Sequence, residues 1–170
     1  DRRDLNREFP GNPEGSMAAR VAHAVWSKAL SRCDYGLDLH TASQGQSNLP
    51  HVRVDLKVPV LRRVASAFGC EMIYDDAGRR GSLRRCATEH GIPTALLEAG
   101  GALEYKEAMI EHGFRGCLAA LGVLGMLDEP HRRADFQVVV RKADWIRASR
   151  GGLVELKVSP GDLIRRGQLL

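Results

Sequence analysis

The 170-residue sequence predicts an α/β fold, in which a mostly parallel sheet has helices on both faces and is followed by the start of a small all-β domain. Two observations favour this class. Over about the first 130 residues, short apolar runs of strand length alternate with stretches of helical periodicity. After residue 130, short alternating runs separated by glycine and proline follow one another. We therefore expect one domain at residues 1–130 and a second, incomplete one at residues 131–170.

The first predicted helix covers residues 13–31, because Asn12 is suited to cap its N-terminus and apolar residues then recur at helical spacing. An alternating strand follows at residues 35–40 and runs into residues 41–48, which have the polar, glycine-containing composition of a loop. A strand that ends in such a loop is where α/β proteins often bind ligands. Alternating apolar residues then predict a strand at residues 52–56.

The later elements of the first domain continue the alternation. They are a helix over residues 60–68, a strand at 71–74, a helix over 82–91, a strand at 93–98 and a long helix over 103–126. Ser82 is suited to begin its helix and Gly91 to end it, and Gly113 is a candidate interruption of the long helix. We expect the domain boundary at residues 129–134. Three short β runs are predicted beyond it, at 136–141, 144–148 and 153–158.

Composition and charge exclude several classes of protein. The sequence is 44% hydrophobic and 27% charged, which excludes a disordered or fibrous chain. Its net charge of +4 comes from arginine pairs scattered over different elements without interleaved aromatic residues, which argues against a nucleic-acid partner. The longest apolar run, residues 117–127, is too short to span a bilayer, so no membrane association is expected. Four widely spaced cysteines without a C-x-x-C pair are typical of reduced thiols in a cytoplasmic protein.

Three short motifs carry the residues best suited to chemistry. They are DLNREFPG at residues 4–11, DLHT at 38–41 and LLEAGG at 96–101. Each has an ordinary explanation on its own, since Arg7 fits a surface turn, His40 a strand end and Glu98 the flank of a helix. The combination is harder to explain in this way, because His40 and Glu98 each lie at the carboxyl end of a predicted strand, beside a polar or glycine-containing loop.

The residue types in these motifs suit hydrolysis at a metal ion. A histidine offers a neutral nitrogen to the metal, and a nearby carboxylate can take a proton from water that the metal activates. We therefore expect His40 and Glu98 to face one cleft at the carboxyl edge of the sheet, on the order of 4–8 Å apart.

In this order and spacing, the three motifs resemble those of the succinylglutamate desuccinylase/aspartoacylase family, a branch of the zinc carboxypeptidase superfamily. The stretches GSLR at 81–84, GIP at 91–93 and LGVLGML at 121–127 are also similar to that family, so the resemblance covers residues 1–128. It implies a zinc carboxypeptidase-like fold. It also implies a zinc-dependent amidohydrolase that cleaves non-peptide C–N bonds and releases a carboxylate and an amine.

The resemblance further implies functions for individual residues. His40 corresponds to a zinc ligand and Glu98 to the general acid/base. Asn6 and Arg7 correspond to the residues that bind the substrate carboxylate, so the resemblance implies that they lie on the rim of the cleft. Glu98 would take a proton from zinc-bound water and return one to the leaving amine. The implied partner is a small N-acyl amino acid or a similar carboxylate, with succinylglutamate, acetylaspartate and acetyl-diaminobutyrate types all suitable. The acyl group and the oligomeric state stay open, a homo-oligomer being one option.

The chain departs from the family pattern in its zinc ligands. The family's other two ligands, a histidine and a glutamate from an H-x-x-E type motif, precede the DLNR segment, and no such motif precedes it here. The other histidines considered lack a partner at ligand spacing, and two of them fall near predicted helix ends and suit the surface (His90 and His112; the others are His51 and His131). We therefore expect these 170 residues by themselves to bind zinc poorly and to be inactive.

The tail has a resemblance of its own. Residues 148–154 and 158–169 are similar to the hairpin motif of biotinyl/lipoyl-type β domains, so residues 131–170 are expected to form an appendage that covers the catalytic domain. A carrier function would need a lysine on a tight turn, whereas Lys157 lies in a strand-like run. Two alternatives to a deacylase stay open: a non-catalytic or peptidase-like family member, and a binding or carrier module centred on the tail.

Overall fold

A computed structural model of the chain describes residues 3–128 and 134–170. In these ranges, five strands form one sheet in the order β1-β4-β2-β3-β5. The strands are β1 (Gly36–His40), β2 (Ser47–Val54), β3 (Met72–Asp75), β4 (Thr94–Gly101) and β5 (Val138–Val140). The α-helices are α1 (Met17–Lys28), α2 (Pro59–Ala67), α3 (Leu83–Glu89) and α4 (Glu107–Val123), and two 3₁₀ turns occupy Leu5–Arg7 and Leu30–Arg32.

The sheet consists of two parallel groups that meet at a single antiparallel pair within the described residues. β1 runs parallel to β4, and β2 runs parallel to β3, which in turn runs parallel to β5. β2 and β4 are antiparallel. The predicted α/β class with a mostly parallel sheet is therefore confirmed. Because of the antiparallel pair, the carboxyl ends of β1 and β4 lie beside the amino end of β2.

One face of the sheet forms the main hydrophobic core. Alternate residues of β4 and β2, such as Leu97 and Val52, pack there against α2 and α4, which also contact each other. Their partners include Leu61 and Val64 of α2, both of which are almost fully buried. Burying one such side chain stabilises the fold by about 1.5–3 kcal/mol, so this face holds the strands in place.

The opposite face of the sheet carries the N-terminal turn, α1 and α3. A smaller cluster joins these elements, formed by Phe9, Ala22 of α1 and Cys86 of α3. Ser82 begins α3, as the sequence predicts, since its side chain accepts a hydrogen bond from the Arg85 backbone N–H. Helices therefore cover both faces, and the polar side chains of β1, β2 and β4 emerge on the α3 side.

The first helix is shorter than the sequence predicts. It begins after Ser16, whose hydroxyl accepts a hydrogen bond from the Ala19 backbone N–H at 3.2 Å. Asn12, the expected cap, instead accepts from the Glu14 backbone N–H at 2.9 Å in a preceding turn. A local Asx-type turn has thus taken the residue that the N-cap preference assigned to the helix.

The long helix α4 also starts later than expected, at Glu107. Leu103 has a φ of +60°, a left-handed conformation that a helix cannot include. Gly113 does not interrupt the helix, which continues through it to Val123. No helix in residues 3–128 or 134–170 combines the length and apolar character needed to cross a membrane.

The all-β domain expected in the tail is not confirmed. β5 is the one strand that the structure describes after residue 133, and it pairs with β3 at the edge of the main sheet. The runs predicted at 144–148 and 153–158 form no strand. Residues 129–133 of the expected boundary lie outside the described residues. Lys157 lies at a bend instead of in a strand and forms an exposed ion pair with Glu155 two residues away.

Candidate functional site

A polar cleft of about 420 Å³ lies on the α3 side of the sheet, beside the end of β1 and along neighbouring parts of β4 and β2. It is lined by side chains from the N-terminal turn, three strands, the start of α3 and the tail. Those that concern us are Asp4, Asn6, Arg7, His40, Asn48, His51, Arg53, Asp76, Arg84, Glu98 and Trp145. The structure therefore brings together all four residues that the sequence analysis singled out.

The DLNR motif forms the 3₁₀ turn at one rim of the cleft. Asp4 caps the turn by accepting a hydrogen bond from the Asn6 backbone N–H at 2.9 Å. The Asn6 side-chain oxygen accepts from the Leu83 backbone N–H at 2.8 Å, which ties the turn to the start of α3. Gly81 is required beside it, because a Cβ there would lie 2.2 Å from the Arg7 carbonyl oxygen.

The Arg7 guanidinium lies at the same rim and is partly exposed. Its Nη1 donates to the Asn6 carbonyl oxygen, and its Nη2 lies 3.6 Å from the Asp4 carboxylate. In the described part of the chain, no residue accepts a hydrogen bond from the Asn6 amide nitrogen. An amide donor and a guanidinium are thus available side by side, a pair well suited to an incoming carboxylate.

His40 is the last residue of β1, and its ring is fixed from one side. Its Nε2 lies 3.0 Å from Asp38 Oδ1 on the same face of the strand. Its Nδ1 faces Glu98 Oε1 at 4.0 Å. The hydrogen bond with Asp38 raises the pKa of His40 above its ordinary value, although burial works in the opposite direction.

Glu98 lies within β4, which continues to Gly101 instead of ending at residue 98 as the sequence predicts, and its neighbours in the strand are all buried. Leu97 and Ala99 point into the main core, so the alternation of the strand directs Glu98 into the cleft. Its side chain is only 15% exposed. The distance of 4.0 Å to His40 lies at the lower end of the range expected from the sequence.

Two residues of β2, which the sequence analysis did not select, lie beside Glu98 in the cleft. His51 pairs with Glu98 in the sheet register, directly opposite His40 on the other neighbouring strand. The His51 Nδ1–H donates to the Leu49 carbonyl oxygen at 2.9 Å, which leaves Nε2 as the acceptor in the neutral ring. Asn48 Nδ2 donates to Glu98 Oε2 at 2.9 Å.

The floor of the cleft holds a carboxylate shared by two guanidinium groups. Asp76 Oδ2 accepts from Arg53 Nη2 at 2.7 Å and from Arg84 Nη2 at 3.1 Å. Arg84 is almost fully buried, with 5% of its side chain exposed. Burial alone would raise the pKa of Asp76, but hydrogen bonds from Gly78 and Arg53 and the charge of Arg84 lower it. One carboxylate and two guanidinium groups leave a net positive charge beside the catalytic candidates.

The donor set fits one position of a metal site. A histidine whose second nitrogen is held by a carboxylate, as His40 is by Asp38, is the usual arrangement of a metal-binding imidazole. The other Asp38 oxygen, Oδ2, is buried without a partner among the described residues. Residues 3–128 and 134–170 contain no group of three or more His, Cys, Asp or Glu side chains that could hold an ion. The described residues therefore offer a ligand but not a complete site.

Two other histidines, His90 and His112, lie apart from the cleft. His90 ends α3 and packs edge-on against Trp26, with ring centroids 4.9 Å apart. His112 was expected at the surface near a helix end. It lies instead inside α4, half-buried, with its Nε2 3.1 Å from Cys70 Sγ. Burial raises the pKa of Cys70 to about 12, so this pair holds a neutral thiol. His131 is outside the described residues.

Comparison with protein families supports the reading of the motifs. The model of the succinylglutamate desuccinylase/aspartoacylase catalytic domain matches residues 1–124. A curated relative, the N-alpha-acetyl-L-2,4-diaminobutyric acid deacetylase of Halomonas elongata, is 28% identical over 98% of this chain and 52% of its own length. This chain thus spans about half the length of that relative.

Solved structures show the same fold. A succinylglutamate desuccinylase/aspartoacylase from Rhodobacter sphaeroides superposes with a TM-score of 0.82 at 29% identity, over 99% of this chain and 54% of its own. A succinylglutamate desuccinylase from Silicibacter sp. TM1040 gives a TM-score of 0.80 at 22% identity, over 95% of this chain and 52% of its own. The described sheet and helices therefore correspond to about half of each of these proteins.

Proposed function

Because the chain belongs to the succinylglutamate desuccinylase/aspartoacylase family, we propose that the protein is a zinc-dependent deacylase that hydrolyses the amide bond of a small N-acyl amino acid or a related carboxylate. The observation that carries this proposal is the Glu98 carboxylate, 4.0 Å from His40 Nδ1 in a cleft that also holds Asn6 and Arg7. The relative from Halomonas elongata is named for a reaction of this class.

His40 would hold the zinc ion through Nδ1, since its Nε2 is engaged by Asp38. Zinc supplies Lewis-acid chemistry when bound, because it polarises a carbonyl group and makes a water molecule more acidic. The described residues contain no complete ligand set. The remaining ligands would therefore come from outside them. Asp38 would keep the imidazole oriented and make its free nitrogen a more basic metal ligand.

Glu98 would move the protons of the reaction. Its Oε2 is occupied by the Asn48 amide, whereas Oε1 faces His40 and the open cleft. Oε1 would accept a proton from the attacking water and then give a proton to the nitrogen of the leaving amine. The low exposure of the carboxylate keeps bulk water from competing for that proton.

Asn6 and Arg7 would bind the substrate carboxylate at the rim of the cleft. The Arg7 guanidinium can grip both carboxylate oxygens, and the unused Asn6 amide nitrogen adds a hydrogen bond. The turn that holds them is fixed to α3 through the Leu83 backbone, so the carboxylate would be held at a constant distance from Glu98. Contacts to the carboxylate alone do not select the acyl group, so N-succinyl and N-acetyl substrates both belong in the test.

The substitution Glu98→Gln in the full-length, zinc-loaded protein tests the proposal. Glutamine has the same shape but cannot carry the proton, so kcat on a panel of N-succinyl and N-acetyl amino acids should fall by about 10²–10⁴-fold. Release of the free amine measures kcat, and atomic emission measures the zinc content, which should stay unchanged.

Glu89→Gln is the matched control, because Glu89 lies on the outside of α3 and pairs there with Arg85. It should leave both kcat and zinc content as they are. Turnover that is unaffected by Glu98→Gln would reject Glu98 as the proton carrier. A wild-type protein that binds zinc but releases no amine from any member of the panel would favour the non-catalytic alternative.

A further inference from the structure

The hydrogen bond between Asn48 and Glu98 joins residues fifty positions apart and leaves the two oxygens of the carboxylate in different surroundings. Resting on the function proposed above, we propose that Asn48 is a positioning residue, which holds Glu98 Oε2 so that Oε1 faces His40 and the substrate. Asn48 would act through Glu98 and need not contact the substrate.

An irregularity in β2 brings Asn48 into the cleft. Asn48 is paired with Gly100 and His51 with Glu98, so three steps along β2 correspond to two steps along β4. Such an extra residue is a β-bulge. In a regular strand, residues three apart point to opposite faces, but here the side chains of Asn48 and His51 both line the cleft. Pro50 lies within the bulge, which is one of the few positions in a sheet where proline is commonly found.

The chemistry of the amide suits this task. An amide nitrogen can only donate a hydrogen bond, and an ionised carboxylate can only accept one. The bond from Asn48 therefore determines which oxygen of Glu98 is hydrogen-bonded and which is left for the reaction. The Glu98 side chain has three rotatable bonds, and in the described part of the chain the Asn48 amide is the hydrogen-bond donor to its carboxylate. Without that donor the carboxylate could rotate, and fewer molecules would hold Oε1 in the reactive position at any moment.

A double-mutant cycle in the full-length, zinc-loaded protein tests the proposal. Asn48→Leu removes the donor at similar volume, and Asn48→Asp keeps the shape but presents an acceptor at neutral pH. Each should lower kcat by about 10- to 100-fold, the range found when residues that orient metal ligands are removed. KM should stay within about twofold, because Asn6 and Arg7 still bind the substrate.

The cycle separates positioning from general disruption. If Asn48 acts through Glu98, Asn48→Leu should add no further loss to the residual kcat of the Glu98→Gln variant. Gln44→Leu, in the exposed loop before β2, is the control and should leave kcat unchanged. Should Asn48→Leu misfold, which thermal unfolding would reveal, the isosteric Asn48→Asp variant replaces it in the cycle.

Two results would overturn the inference. One is an unchanged kcat in the Asn48 variants. The other is the same fractional loss in the Glu98→Gln background as in the wild type, since that would show an effect independent of Glu98. Both differ from failure of the proposed function, in which Glu98→Gln itself leaves kcat unchanged.

Discussion

At the scale of single residues, the Asp76 carboxylate is the negative charge that balances two arginines in the cleft. Its carboxylate neutralises part of the charge of Arg53 and of the almost fully buried Arg84. Removing one partner from a buried ion pair destabilises the folded state strongly, because the remaining charge stays buried without compensation. Asp76 therefore matters for folding as well as for the electrostatics around Glu98.

We expect Asp76→Asn to lower the free energy of unfolding by about 1–3 kcal/mol at pH 7, less than for a fully buried pair because Asp76 is partly exposed. The pKa of Asp76 is lowered in the folded state, so its contribution is present above its unfolded pKa and is lost as the pH falls through the folded value. Denaturant unfolding at pH 7 and near pH 2.5 measures the effect. The difference between wild type and variant should shrink at the lower pH, and a difference independent of pH would contradict this account.

At the scale of elements, contact between α4 and α2 depends on glycine in α4. Gly116 lies against the ring of Phe68, and a Cβ at this position would lie 2.1 Å from Phe68 Cε1. Gly113, one turn earlier, has ordinary room, since its nearest neighbour would be Leu97 Cδ2 at 3.4 Å. The close approach of the two helices therefore requires glycine at one position and tolerates a side chain at the other.

Alanine substitutions at these two glycines should affect stability differently. Gly116→Ala should destabilise the protein by about 1–3 kcal/mol, because the clash with Phe68 outweighs the better helix propensity of alanine. Gly113→Ala should be neutral or stabilise by up to about 1 kcal/mol, and it serves as the matched control. Chemical denaturation of both variants decides between them. Equal effects would mean that α4 and α2 are not packed as described.

At the scale of the whole molecule, the described residues form a connected sheet and cleft but not a complete metal site. A catalytic zinc ion typically has three protein ligands, and the described ranges provide no cluster of that size. The 170-residue chain by itself should therefore bind zinc no better than its His40→Ala variant and should hydrolyse no N-acyl amino acid.

Calorimetric titration of zinc into both chains measures this difference. Weak, equal binding is expected, because one imidazole cannot hold the ion against water and buffer. A tight site with one zinc per chain that is lost in His40→Ala would show that a complete ligand set exists within these 170 residues.

Much of the fold and part of the cleft were determined by the sequence itself. The strand that ends at His40 is encoded by local alternation, and the strand that holds Glu98 is encoded by a short apolar run. The position of His40 at a strand end is therefore confirmed, whereas β4 continues past Glu98 to Gly101. The cap at Ser82 is likewise a local signal. The DLNR turn was recognisable because its residues lie next to one another in the chain.

Only the tertiary structure decided which distant residues join them. The bulge that turns Asn48 toward Glu98 depends on the register between β2 and β4, and the pairing of Asp76 with Arg53 and Arg84 depends on how their elements meet. β5 likewise joined β3, because an edge strand offers open backbone groups to any suitable segment. Local periodicity carries no information about register or partner choice, since both follow from contacts between residues far apart in the chain.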